Sequence, residues 1–284
     1  MPKNLIAARD GFAKAHPERR FSVNGRDWGG IRIGDTGPAL LLIPGTLGRA
    51  DIFWQQMLAL ADKVRILALS YPSSGGIAEW ADDIAALISR EGLEGAVVLG
   101  SSLGGYLAQY LAATHAGLLG GLVAANTLPT VKGIDQLPPY SLDLMQTPIG
   151  DLRAGFTNGL SQWAVPDHPY CQLAELLLDE VKGRIPEPEL RARLQALKVG
   201  PELPVQTLPR ERRFTVESGD DHLIPPDWQQ RVRGLLQPAR AYRFQKASHF
   251  PYVTRPAEYT ALLAEVLGLA HPGTTWPEGP EALL

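Results

Sequence analysis

The segment VVLGSSLGGYLAQYLA, residues 97–112, holds the most chemically specific spacing in the chain. A short apolar run leads into Gly100-Ser101-Ser102-Leu103-Gly104, and a helical pattern begins at once. G-x-S-x-G in a strand–turn–helix context places a serine hydroxyl on a sharp, strained turn, with glycines where side chains would collide. A hydroxyl presented this way is a nucleophile for acyl transfer, provided a base removes its proton and an acid orients that base. Among six histidines, His249 lies just past the last predicted strand, in KASHFPYVTRPAEY, while His222 sits beside two aspartates and His271 lies in the tail. The acid is expected after the preceding strand, where RRFTVESGDDHLIPP offers Asp220 and Asp221. Asp221 is preferred because Pro225 stands four positions beyond it, with Asp220 as the alternative. Either aspartate can instead cap the helix predicted near 227–236. The oxyanion of a tetrahedral intermediate also needs donors. The backbone N–H of Leu103 is one candidate, and that of Thr46, in Pro44-Gly45-Thr46-Leu47-Gly48, is the other.

Such residues lie far apart in the chain, so a regular scaffold must bring them together. Continuous apolar runs at 39–43, 64–69, 96–99, 122–125, 213–216 and 242–244 read as strands buried on both faces. Helical spacing separates them: Ile77, Trp80, Ile84, Leu87 and Ile88 share one face, and 103–113 and 258–267 read similarly. That alternation predicts a parallel α/β sheet. Residues 20–36 read instead as a hairpin around Asn24-Gly25 at one sheet edge. The chain divides into a core at 1–127, a helical insertion at 128–208, a second core part at 209–270 and a loop-like tail at 271–284.

Composition narrows the function class. The 284 residues include 27 Lys plus Arg against 30 Asp plus Glu, a net charge of −3 that does not suit phosphate neutralisation, so nucleic-acid binding is not expected. The single cysteine, Cys171, excludes an internal disulfide framework and a Cys-rich zinc cluster. No run approaches the roughly 18–20 apolar residues of a membrane span, and the N-terminus carries no signal-like apolar stretch. A globular cytoplasmic protein is the expectation.

Together these motifs resemble the α/β-hydrolase superfamily across about residues 20–270, and IPGTLGRADIFWQQMLAL, VRILALSYP, LGSSLGGYLAQYLA and SHFPYVTRPAEY resemble its maspardin-like branch. The resemblance implies a mostly parallel eight-stranded sheet flanked by helices, with an α-helical cap inserted after the sixth strand and a cofactor-independent serine mechanism. It departs from the usual pattern in one place: Pro44-Gly45 stands where His-Gly commonly begins the oxyanion loop. Animal maspardins lack a complete triad and are regarded mainly as binding proteins, whereas His249 occupies the matching place here. A serine at 102, rather than an aspartate, argues against dehalogenase and epoxide hydrolase chemistry.

The expected substrate is an apolar, medium-sized carboxylic ester or lactone. Phe53, Trp54, Tyr140, Phe156 and Trp163 are the candidate pocket aromatics, each of which is equally well used to pack the core. The same triad also suits C–C cleavage of a β-diketone-type substrate or acyl transfer, and a maspardin-like binding module is the non-enzymatic alternative.

Overall fold

The computed structural model describes residues 4–270 and 275–284. Nine strands among them form one sheet: β1 (Arg19–Val23), β2 (Arg26–Ile33), β3 (Ala39–Ile43), β4 (Arg65–Ser70), β5 (Ala96–Ser101), β6 (Leu119–Ala125), β7 (Arg213–Ser218), β8 (Arg240–Phe244) and β9 (Glu281–Leu283). Their order is β1-β2-β4-β3-β5-β6-β7-β8-β9, and only the β1–β2 and β2–β4 pairings are antiparallel. The parallel strands therefore end on one edge, with Ser101 of β5 opposite Ala125 of β6 and Ala125 opposite Val216 of β7.

Each apolar strand alternates its side chains between two cores because the strand period is two residues. Leu40, Leu42, Leu99 and Val123 pack on one face against the Trp54–Leu60 and Pro256–Val266 helices. Leu41, Ile43, Val98 and Leu122 pack on the other against the Ile77–Arg90 and Leu103–Thr114 helices. Both faces are thus covered, which is why these strands carry no polar alternation. Between β6 and β7 the chain forms only helices and loops, including the Ile149–Ser161, Cys171–Asp179 and Glu187–Lys198 helices.

Two features depart from the sequence-based expectation, the tail and the Phe53-Trp54 pair. The tail is not loose throughout: β9 extends the sheet beside β8 to a ninth strand. Trp276 is buried edge-on between Tyr242 and Phe244, with ring centroids 5.1 and 5.0 Å away. Residues 271–274 of that tail lie outside the described residues. At the other end, Leu5–Ala15 is a helix capped by Asn4, whose Leu5 and Phe12 enter the first core. Finally, Phe53 and Trp54 open the 54–60 helix facing inward, and Phe53 packs 4.8 Å from the Tyr252 ring.

The hairpin is fastened by a buried carboxylate. Asp83, on the Ile77–Arg90 helix, accepts from Arg26 Nε at 2.6 Å, Asn24 Nδ2 at 2.9 Å and Trp28 Nε1 at 2.9 Å. Burial pushes its pKa up, but these donors outweigh that and hold it below the ordinary carboxylate value. Removing one partner of a buried ion pair strands the other. Asp83→Ala should therefore lower unfolding free energy by about 3–5 kcal/mol in denaturant titration. Because the folded pKa is depressed, this stabilisation is present above the unfolded carboxylate pKa and lost as pH falls through the folded one. The variant should accordingly show a flatter loss of stability on acidification than the wild type.

Candidate active site

Ser102 sits between β5 and the Leu103–Thr114 helix with φ 55° and ψ −116°, a left-handed turn that lifts its side chain off the sheet edge. The helix approaches so closely that side chains are excluded around it. A Cβ on Gly100 would lie 1.9 Å from the Gly104 carbonyl oxygen, and one on Gly104 would lie 2.3 Å from that of Ile43. A Cβ on Gly105 would likewise lie 2.5 Å from the Thr127 Cβ, the close helix packing expected from the motif. Leu103 is the first residue of the helix, so its N–H has no partner within the helix.

The two sequence-predicted partners lie on the loops after β7 and β8. His249 is buried, and its Nδ1 lies 3.0 and 2.8 Å from the two carboxylate oxygens of Asp221. Asp221 Oδ1 also accepts from the N–H groups of Leu223 and Ile224 at 2.9 and 3.0 Å. Asn126 Nδ2 donates to Oδ2 at 2.9 Å. Burial pushes the Asp221 pKa up, and the nearby His249 charge with these hydrogen bonds brings it below the ordinary value. An anionic Asp221 favours Nδ1–H on His249, which leaves Nε2 free for proton transfer.

Asp220 holds the other side of the same loop. Its Oδ1 accepts from the N–H groups of Ala247 and Ser248 at 2.9 and 2.8 Å, and its Oδ2 accepts from the Tyr170 hydroxyl. Neither aspartate caps the following helix, whose N-cap is Pro225. Successive residues point to different sides, so one carboxylate faces the imidazole and the other fixes the backbone that carries it.

Ser102 and His249 line one cavity of about 400 Å³ with Gly45, Thr46, Tyr140 and Phe156. Leu128, Ile134, Leu197, Ile224 and Trp228 add to its apolar wall, and among the described residues no Asp, Glu, Lys or Arg lines it. Burial pushes the Tyr140 phenol up to about 12, so it stays neutral. Trp163 lines an adjoining chamber of about 280 Å³ instead, against His222, and Leu47, Phe156, Leu223 and Phe250 belong to both walls. Phe53 and Trp54 line neither, being turned into the core. The structure thus gathers Ser102, Thr46, Tyr140, Phe156 and His249 at one cavity. Asn126 escaped the sequence reading, although a polar residue at the carboxyl end of an apolar strand was its available signal.

The sequence profile of the alpha/beta hydrolase family matches residues 40–262. The chain belongs to that family. It is maspardin-like: the mouse maspardin is 24% identical over 264 residues, covering 87% of this chain and 82% of the relative. The enol-lactonase of Burkholderia xenovorans LB400 superposes with a TM-score of 0.74 at 17% identity, covering 88% of this chain and 100% of that one. The esterase RhEst1 of Rhodococcus sp. ECU1013 gives 0.71 at 20% identity, covering 88% and 98%. At those identities the two structures establish the shared hydrolase fold. No helix among the described residues is long and apolar enough to cross a membrane.

Asp220→Ala releases three donors at the loop bearing His249. It should cost about 1–3 kcal/mol in thermal or chemical unfolding and should speed amide hydrogen exchange at Ala247 and Ser248. Unchanged exchange there would contradict the clamp.

Proposed function

We propose that the protein is a serine hydrolase that cleaves a carboxylic ester or lactone with a neutral, apolar body through an acyl-enzyme. The observation that carries this proposal is a shared cavity: Ser102 opens into the same apolar space as a histidine whose far nitrogen is held by a buried carboxylate. In the first half-reaction, Ser102 Oγ attacks the carbonyl carbon while His249 Nε2 takes the hydroxyl proton. The carbonyl oxygen becomes an oxyanion facing the N–H groups of Thr46 and Leu103, and Asp221 stabilises the imidazolium. Collapse breaks the bond to the leaving oxygen, which takes the proton from His249. Water then attacks the acyl-enzyme with His249 as base, releasing the acid and restoring Ser102.

Residues 128–208 serve in this proposal as the cap, since Ile134, Tyr140, Phe156 and Leu197 supply one wall of the cavity. A wall without charge favours neutral acyl groups, because a carboxylate on the substrate would lose its hydration with no partner. The esterase and lactonase named among the structural neighbours are consistent with that class, and the maspardin likeness leaves a binding protein as the reading to be tested against it.

A fluorophosphonate probe should label the wild type and fail to label Ser102→Ala. On p-nitrophenyl butanoate to octanoate, His249→Ala should lower kcat by about 10³–10⁴-fold. Esters bearing a free acyl carboxylate should react at least about tenfold more slowly than neutral esters of equal length, a difference of about 1.4 kcal/mol. A well-folded wild type that takes no probe and turns over no ester would identify a binding protein instead.

A further inference from the structure

Arg193, on the Glu187–Lys198 helix, is among the largest fully buried side chains of the chain, and nothing in the proposed reaction uses it. A guanidinium removed from water is costly unless its charge and donors are met. Glu189, one turn earlier, supplies the opposite charge at 3.1 Å, and the guanidinium lies over the Tyr71 ring with its central carbon 5.0 Å from the centroid. Of its other donors, Nη1 is spent on backbone, while Nε has no hydrogen-bond partner among the described residues. Nη1 donates to the carbonyl oxygens of Thr46 and Gly48 at 2.8 and 2.9 Å.

The same loop is held at two further carbonyls. The Tyr71 hydroxyl donates to Pro44 O at 2.7 Å, and Gly48 N–H donates to Gly45 O at 3.1 Å. Between Pro44 and Gly48, four of the five carbonyls are thus engaged: Pro44, Gly45, Thr46 and Gly48. In a planar trans peptide the C=O and the next N–H point in opposite directions. Fixing the Gly45 and Thr46 carbonyls therefore aims the N–H groups of Thr46 and Leu47 the other way. Gly45, Thr46 and Leu47 all line the cavity that holds Ser102.

We infer that Arg193 is a positioning residue: it locks the 44–48 loop from behind so that the loop's amides stand ready for the oxyanion, tying the seat of the 187–198 helix to the reaction rate. This inference rests on the serine hydrolase proposal and extends it to a residue that never touches substrate. Preorganised donors act on charge that exists only in the transition state, so their loss appears in kcat rather than in ground-state binding.

The test compares kcat and KM on p-nitrophenyl butanoate for wild type, Arg193→Met, Arg193→Lys and Tyr71→Phe, with Leu194→Ala as a stability control. Leu194 lies fully buried on the same helix and belongs to the first core. Arg193→Met should lower kcat by about 10–100-fold with KM changed less than about threefold. Its affinity for a trifluoromethyl ketone, which forms a tetrahedral adduct on the serine, should fall by a similar factor. Arg193→Lys should recover part of the loss, since one ammonium can still reach a carbonyl but cannot span the pair and Glu189. Tyr71→Phe keeps the ring and removes only the Pro44 contact, so it should lower kcat by a few-fold and carries the test if Arg193→Met does not fold. Leu194→Ala should lower the melting temperature with kcat within about threefold of wild type. An active wild type whose folded Arg193 and Tyr71 variants keep full kcat, or a Leu194→Ala that loses kcat equally, overturns this inference alone. A wild type without esterase activity overturns the hydrolase proposal, and this inference with it.

Discussion

The site depends on how closely one helix can approach one strand end. The Leu103–Thr114 helix starts where β5 stops, and it reaches the sheet edge only because positions 100 and 104 carry no side chain. Any Cβ at either would overlap a backbone oxygen, an atom that cannot rotate aside. The strand-to-helix turn must then reverse within one residue, and Ser102 takes the conformation that makes this possible. Its hydroxyl consequently projects beyond the sheet edge, where the loops after β3, β7 and β8 converge. The positions of His249, Asp221 and the 44–48 loop are meaningful only relative to that fixed point.

A second constraint is electrostatic. The helices between β6 and β7 meet the body of the protein through a series of buried and partly buried ion pairs. Arg9 of the N-terminal helix pairs with Glu180 at 2.5 Å and with Asp179 at 2.6 Å. Arg184 bridges Glu180 and Asp51, while Arg49 joins Glu18 at 2.8 Å and Glu189 at 2.9 Å. Buried pairs of this kind are weak sources of net stability, because desolvation consumes most of the Coulombic gain. Their effect is geometric: a misplaced helix would strand several charges at once. The segment following β3 carries Asp51 and Arg49, so the loop over the site and the helices above it are held in one relative placement.

What could be read from the residues alone follows the locality of the signals. Ser102, Asp221 and His249 stand at strand ends, where short motifs and chain order specify the side chain, and Asp221 was separable from Asp220 only by loop spacing. The alternation of strands and helices was legible because both sheet faces are buried. Phe53 and Trp54 were not resolvable, since an aromatic after a loop serves core or pocket according to a helix rotation that only tertiary contacts decide. Arg9 and Arg193 carry no signal in the sequence, because nothing local marks a guanidinium that will be buried against distant carboxylates and carbonyls. The tripeptide of β9 has no strand pattern of its own; it is recruited by the free edge of β8.

Backbone strain gives these observations a common cause. Three non-glycine residues with positive φ sit at the site: Ser102 at 55°, Asn126 at 43° and Ser248 at 57°. Each such conformation costs on the order of 1–3 kcal/mol and persists only when its surroundings overdetermine it. Here each strained residue is tied by its own N–H. Ser102 donates to Ala125 O at 2.9 Å, Asn126 to Val216 O at 2.8 Å, and Ser248 to the Asp220 carboxylate at 2.8 Å. The ties run in sequence from β5 to β6, from β6 to β7, and from the loop after β8 back to the loop after β7. Strain at one strand end is therefore held by its neighbour, and the three side chains proposed to relay a proton hang from this ladder rather than from flexible loops. The placement of Asn126 follows from the same geometry: its turn brings its amide onto Asp221, so the residue that links two strand ends also orients the acid.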